Sequence, residues 1–329
     1  MTVPTAYARR MTDSPSAPSA GPPLFVLLNA GSGSGDADTT REVLSGVFES
    51  EGRRHTFLPL DPGGSIAGVA REAVRRALHE GGVVVAAGGD GTINAVAQEV
   101  LGSGCSFGVL PQGTFNYFAR EHGIPQESEA AARALLRAQP TPVQVGLVNG
   151  RIFLVNASLG LYRKLIEDRE VAKSQLGRSR LVAMWAGLRT LMRDPRQLHL
   201  TLEVGNQVRQ LRTPSLFIGN NRLQFERLGL PAEGEALERG CLGAILVRAI
   251  GTWSMLGLAL RGALGRLNEA DNVVSFPVRR LTVHLHGYRH IKVATDGEVQ
   301  RMRAPLEFSV APEPLMLMLP IPEDRVKPE

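Results

Sequence analysis

The chain has 329 residues, 43% hydrophobic and 21% charged, with a formal net charge of +5 and a pI near 9.6. Those are values for a globular chain long enough for two cores, and no run reaches the ~18 uninterrupted apolar residues of a membrane-spanning helix. Two cysteines, Cys105 and Cys241, lie far apart without metal-ligand spacing, which excludes a disulfide framework and a cysteine zinc motif and suits a reducing compartment. Only four basic residues are lysine, so the positive charge is almost all arginine. Arginine suits bidentate contact with anions, although coding bias explains the excess equally well. The chain carries no nucleic-acid-binding module, and no nucleic-acid partner is expected.

Residues 1–23 are rich in Pro, Ser, Ala and Thr and have no apolar core behind Arg9 and Arg10, so they read as a disordered arm and not a secretory signal. Leu24 to Leu28 form a buried-type strand. The Gly/Ser loop after it, Asn29 to Asp36, can offer amides and hydroxyls to phosphate or serve as a plain turn. It is neither a Walker A loop nor a dinucleotide fingerprint. A helix over 37–51, a strand over 56–60 and a helix over 66–80 follow, an alternation that implies parallel strands with right-handed crossovers.

The stretch GGVVVAAGGDGTIN, residues 81–94, dominates the chain. Val83 to Ala87 read as a strand buried on both faces. Ile93, Val96, Ala97, Val100 and Leu101 then form the apolar stripe of a helix. Gly88, Gly89, Asp90 and Gly91 therefore join a strand's carboxyl end to a helix N-terminus, where open α/β sheets bind ligands and unpaired amides favour phosphate. Asp90 beside a phosphate implies a metal ion or an acceptor hydroxyl between the two charges. A tight turn capped by Asp90 is the plainer reading.

The same grammar recurs in LPQGTFNYFAR, Leu110 to Arg120: a strand over 106–110, a turn, then a helix. On the pair GGDGT with Asn94, and LPxGTxNxFA, the chain resembles the diacylglycerol kinase catalytic-domain family of lipid kinases, which includes the sphingosine kinases. The resemblance implies an N-terminal Rossmann-like parallel α/β domain (NAD kinase/diacylglycerol kinase-like) and a C-terminal antiparallel β-sandwich. It also implies ATP as phosphoryl donor, Mg²⁺, and a lipid hydroxyl as acceptor, diacylglycerol being the first guess. ATP would meet Gly88, Gly89, Asp90, Gly91 and Gly113, with Thr92, Asn94, Thr114 and Asn116 as polar contacts. The family's NPxSG loop is here Asn29, Ala30, Gly31, Ser32, Gly33, without the proline, so contacts from Asn29, Ser32 and Gly33 are the weaker part of the set.

A helix over 128–138 follows, and the rhythm changes at Pro140 to Pro142. This sets expected units of 24–142 and 143–329. The second is rich in short strands: a hairpin turning at Asn149-Gly150, then 198–204, 207–212, 214–219, 243–249, 280–286, 289–295, 305–310 and 314–319. The pieces NASLG (Asn156 to Gly160) and GNN (Gly219 to Asn221) extend the resemblance over nearly the whole chain. Helices over 176–193 and 252–267 each carry an apolar stripe with arginines elsewhere, suited to core packing or to an anionic membrane surface.

VATDGEVQ, Val293 to Gln300, is by itself an ordinary turn. The resemblance places its acidic pair across the interdomain cleft from the nucleotide loops and implies that Glu298, with Asp296 beside it, helps to activate the acceptor. Asp90, Asp296 and Glu298 are thus the catalytic candidates, and the base is either Asp90 or Glu298. The acidic cluster that holds a structural magnesium in bacterial relatives is replaced by Glu238, Arg239, Gly240, Cys241, Leu242, Gly243, and that site is not expected. His284 and His286 alternate along one strand and share a polar face. Two other readings stand beside the lipid kinase: an NAD kinase-like enzyme, and a catalytically silent nucleotide- or lipid-binding regulator. A cytoplasmic protein in peripheral contact with membrane lipid is expected, and a homodimer stays open.

Overall fold

The computed structural model describes residues 21–29, 37–60, 64–160, 197–205, 207–248, 257–258, 261 and 265–327. The helix expected over 176–193 and most of that over 252–267 lie outside these residues.

The first sheet contains β1 (Leu24–Leu28), β2 (His55–Leu58), β3 (Val83–Gly88), β4 (Ser106–Pro111), β5 (Gln139–Val143) and β18 (Leu315–Leu319), in the order β2-β1-β3-β4-β18-β5. β1 to β4 are mutually parallel. All six residues of β3 are buried, because helices cover both faces. On one face α2 (Ile66–Glu80) and α3 (Asp90–Val100) pack Ala70, Ala77, Ile93 and Val96 against Val84, Ala86 and Phe107. On the other, α1 (Ala37–Ser50) and α5 (Ser128–Arg137) pack Leu44, Phe48, Ala131 and Leu135 against Val26, Val83 and Val85. The helix over 66–80 is bounded as its caps dictate: the Ser65 side chain accepts the Gly68 amide, and Gly81 closes it at φ 64°.

Two six-stranded sheets make the sandwich. One runs β10 (Gln207–Thr213), β9 (Leu198–Val204), β14 (Arg280–Leu285), β17 (Leu306–Val310), β6 (Gly146–Val148), β7 (Arg151–Phe153). The other runs β13 (Val273–Val278), β12 (Leu242–Val247), β11 (Ser215–Gly219), β8 (Asn156–Gly160), β15 (His290–Thr295), β16 (Glu298–Arg303). Leu200, Leu202, Val283 and Phe308 of the first meet Leu159, Ile218, Ala244 and Val293 of the second in one core. The β6–β7 hairpin turns at Asn149-Gly150 with φ of 49° and 76°, the two positive values a tight two-residue turn requires.

The expected division at 142/143 needs correction. β5 and β18 pair with each other, and β18 also pairs with β4, so the chain's last strand belongs to the first sheet and not to the sandwich. β5 read as a boundary because of Pro140 and Pro142, which lack amide donors; its place at a sheet edge accommodates them. Strands β13 and β16 and helices α6 (Arg222–Arg227) and α7 (Pro231–Glu238) were not anticipated.

Val143, Ile152 and Leu154 share a core with Val84 and Leu317, so the units are packed as one body at this seam. Leu317 is fully buried between β4 and β5. Leu317→Ala should cost about 2–5 kcal/mol, read as a lower urea midpoint with an unchanged slope. A midpoint equal to wild type would show that β18 does not hold the sheet together.

Candidate active site

β3 ends at Gly88 and α3 begins at Asp90; β4 ends at Pro111 and α4 (Tyr117–Glu121) begins after Asn116. The two parallel strands are neighbours, with Gly88 opposite Pro111, so the loops that follow them lie side by side. They touch: a Cβ on Gly113 would stand 2.9 Å from the Gly89 Cα. Only glycine permits that approach, since real Cβ contacts do not fall below 3 Å.

Internal hydrogen bonds fix the shape of both loops. Asn116 sits at φ 49° and is buried; its Oδ1 accepts the Gly113 amide at 3.0 Å, while its Nδ2 donates to Gly113 O and Gln126 Oε1, both at 2.9 Å. Asn29 Nδ2 donates to the buried Thr92 hydroxyl at 2.8 Å, tying the end of β1 to the start of α3. Asn94 Nδ2 donates to Asp296 Oδ2 at 2.7 Å and to Ile152 O at 3.3 Å. Asn29, Thr92, Asn94 and Asn116 thus hold loops and units in place. Among the polar candidates, Thr114 is exposed on its loop. Ser32 and Gly33 lie outside the described residues.

The DGE segment is the turn of the β15–β16 hairpin. Thr295 pairs with Glu298, and Asp296 and Gly297 between them have φ of 48° and 90°. The left-handed Asp296 folds its carboxylate back under the turn, where it accepts four N–H donors. Oδ2 takes Leu154 N at 2.7 Å and Asn94 Nδ2; Oδ1 takes Val155 N at 2.9 Å and Asn156 N at 3.0 Å. Burial pushes its carboxyl above the usual range, and these donors pull it back. With both oxygens committed, Asp296 holds the turn in position.

Glu298, the next residue but one, is exposed and stands at the first loop: a Cβ on Gly91 would lie 2.6 Å from its Oε1. The end of the DGE segment therefore lies against the GGDGT loop. Asp90 is largely enclosed, and its Oδ1 has no hydrogen-bond partner. Burial first, and then the charge of Asp296, push its carboxyl up to about 6, against the opposing amides of Asn116, Phe118 and Tyr117 at the start of α4. An unpartnered buried carboxylate oxygen beside two glycine loops fits a cation brought in with a polyphosphate. Among the described residues no group of three His, Cys, Asp or Glu is placed to hold a metal by itself. Glu238, in the segment where the structural magnesium was not expected, pairs with Arg222.

Sequence reasoning missed Glu121. Burial pushes its carboxyl up to about 7, while it accepts the Arg222 amide at 2.7 Å at the start of α6. Asn221 Nδ2 donates to Tyr117 O nearby at 3.3 Å. These contacts anchor α4 to the GNN segment of the sandwich; nothing in the local sequence marks Glu121, because its partner is 101 residues away.

The fold and site together define a two-unit architecture, an α/β unit whose glycine loops face a β-sandwich that brings an acidic side chain to them. Residues 23–148 match the model of the "Diacylglycerol kinase catalytic domain". A probable lipid kinase, YegS-like, of Pseudomonas aeruginosa (strain UCBPP-PA14) is 46% identical over 114 residues, 33% of this chain and 37% of that protein. The diacylglycerol kinase of Bacillus subtilis (strain 168) is 37% identical over 124 residues, 37% of this chain and 40% of the relative. The chain thus spans about two fifths of the length of these curated relatives. The diacylglycerol kinase of Staphylococcus aureus (strain JH9) is 26% identical over 237 residues, 70% of this chain and 73% of that one. The crystal structure of a diacylglycerol kinase from Bacillus anthracis str. Sterne superposes with a TM-score of 0.64 at 16% identity, over 92% of this chain and 97% of the other. A further crystal structure from that organism gives 0.70 at 18%, over 92% and 98%. At such identities the structural likeness establishes the fold.

The raised Asp90 carboxyl carries a stability signature. Its folded-state value exceeds its unfolded one, so the folded chain holds the proton more tightly, and stability falls as pH rises from about 4 to about 6. Asp90→Asn should remove that component, flattening the profile in this window and leaving the variant at least as stable as wild type at pH 7.5. A thermal-melt series by circular dichroism reads both; a variant less stable at neutral pH would show that the carboxylate is stabilising.

Proposed function

We propose that the protein is an ATP- and Mg²⁺-dependent lipid kinase that moves the γ-phosphoryl group of ATP to a lipid hydroxyl, diacylglycerol being the acceptor of first choice. The observation that carries this reading is the meeting of Glu298, from the sandwich, with Gly91 of the GGDGT loop.

The phosphates would lie against the amides of Gly89, Gly91 and Gly113, where two helix N-termini open toward the same space. Asp90 is the residue to hold the Mg²⁺, which when bound offsets phosphate charge. No lysine lies in either loop, so backbone amides carry the remaining electrostatic stabilisation. Glu298 is the proposed general base, being exposed at the mouth of the loop while Asp90 is enclosed. As the acceptor oxygen bonds to the γ-phosphorus, the bond to the β–γ bridging oxygen breaks, the hydroxyl proton passes to Glu298, and ADP leaves. Such a base contributes roughly 10²- to 10⁴-fold. Asp296 keeps Glu298 and α3 in register.

Incubation of the purified protein with labelled ATP, Mg²⁺ and a lipid panel, with NAD as a further acceptor, tests the assignment. Phosphorylated lipid is the expected product. Phosphorylated NAD would replace the reading with an NAD kinase, and nucleotide binding without turnover would leave a silent regulator.

Gly91→Ala separates geometry from stability. Alanine favours the helix by up to about 1 kcal/mol, yet its methyl group takes the place of the Glu298 carboxylate. The variant should melt at or above the wild-type temperature while its kcat falls at least tenfold; full activity would remove Glu298 from the reaction.

A further inference from the structure

The hairpin that carries Glu298 forms an edge of its sheet, since among the described residues β16 has β15 on one side and no strand on the other. The register places His290 opposite Arg303 and Lys292 opposite Arg301. Directly opposed residues of an antiparallel pair share a face, and this face points away from the sandwich core, into which Val293 and Met302 project from the alternate positions. All four side chains are exposed. Arg289 and Tyr288, in the turn before β15, are exposed beside them, with Arg289 O accepting the Ala304 amide at 3.0 Å.

Like charges directly opposite one another destabilise a sheet. An edge strand is shielded from unwanted pairing by charge of either sign, so protection alone does not call for two opposed basic pairs. Among the described residues no carboxylate pairs with Arg289, Arg301 or Arg303. The strand begins at Glu298, so Arg301 and Arg303 lie about 10 and 17 Å along it from the proposed base at about 3.3 Å per residue.

We propose that the outward face of the β15–β16 edge is the surface by which the protein docks on an anionic lipid bilayer, with Arg301, Arg303, Lys292 and His290 over the headgroups and Tyr288 at the interface. Charge complementarity selects the occupant, and tyrosine is enriched at that depth in membranes. The proposal rests on the lipid-kinase reading for its purpose: docking holds lipid beside the edge strand that carries Glu298, whose own side chain lies with those of Gln300 and Met302 on the other face.

Sedimentation of the full chain with vesicles of 30% phosphatidylglycerol in phosphatidylcholine, and with pure phosphatidylcholine, tests it beside the double variant Arg301→Gln, Arg303→Gln. Wild type should partition to the anionic vesicles, weakly to the neutral ones, and release as salt rises; the variant should partition on the order of 20-fold less. Its activity on a short-chain diacylglycerol in neutral micelles should equal that of wild type. Equal sedimentation of variant and wild type overturns the docking face, as does wild type that binds neutral and anionic vesicles alike or prefers a 30-base-pair DNA duplex. Loss of binding in the variant, with neither protein active in micelles, upholds the docking face and overturns the kinase reading instead.

Discussion

The Asp296 carboxylate is the constraint on which the site depends. It gathers Asn94 from α3 and the amides of Leu154, Val155 and Asn156 from the β7–β8 connection under a single hairpin turn. These groups come from two stretches of chain far from the hairpin, and a carboxylate accepting four donors fixes all of them at once. Without it, the turn has no reason to fold back, and Glu298 has no fixed relation to Gly91. The left-handed conformation of Asp296 follows from the same demand, because the strand must reverse in two residues while the side chain points inward.

A division of labour follows between glycines, amides and side chains. Gly89 and Gly113 let two loops touch, and Asn116 and Thr92 satisfy the polar groups which that closeness buries. The amides of α4 face Asp90, and α4 in turn is held to α6 through Glu121 and Asn221. The sandwich therefore supplies an acidic group and also fixes the orientation of the helix that bounds the glycine loops. The return of β18 into the first sheet adds a covalent route for the same coupling, since the chain that leaves Arg303 through β17 continues into the sheet of β4 and β5.

Much of this was legible in the chain. The apolar run at Val83 to Ala87 and the stripe from Ile93 onward located β3 and α3, because a buried parallel strand and an amphipathic helix leave distinct periodicities. The Asn149-Gly150 turn was equally plain. The same reading erred at β5 and β18, whose partners lie some 170 residues apart in sequence, and at β16, whose charged residues on an edge strand hide the apolar alternation. Among site residues, Glu298 lies against Gly91 and Asp90 keeps an unpartnered oxygen. Thr92, Asn94, Asn116 and Asp296 make scaffold contacts that local reading did not show, since a polar residue in a motif looks the same whether it touches ligand or backbone.

The central claim is that two glycine loops and the DGE turn surround one bound triphosphate. Amide hydrogen exchange with and without Mg²⁺ and a non-hydrolysable ATP analogue tests it most directly. The account predicts added protection at residues 88–92, 112–117 and 296–299 together. Protection confined to the first two segments, with the DGE turn exchanging as in the free protein, would contradict it.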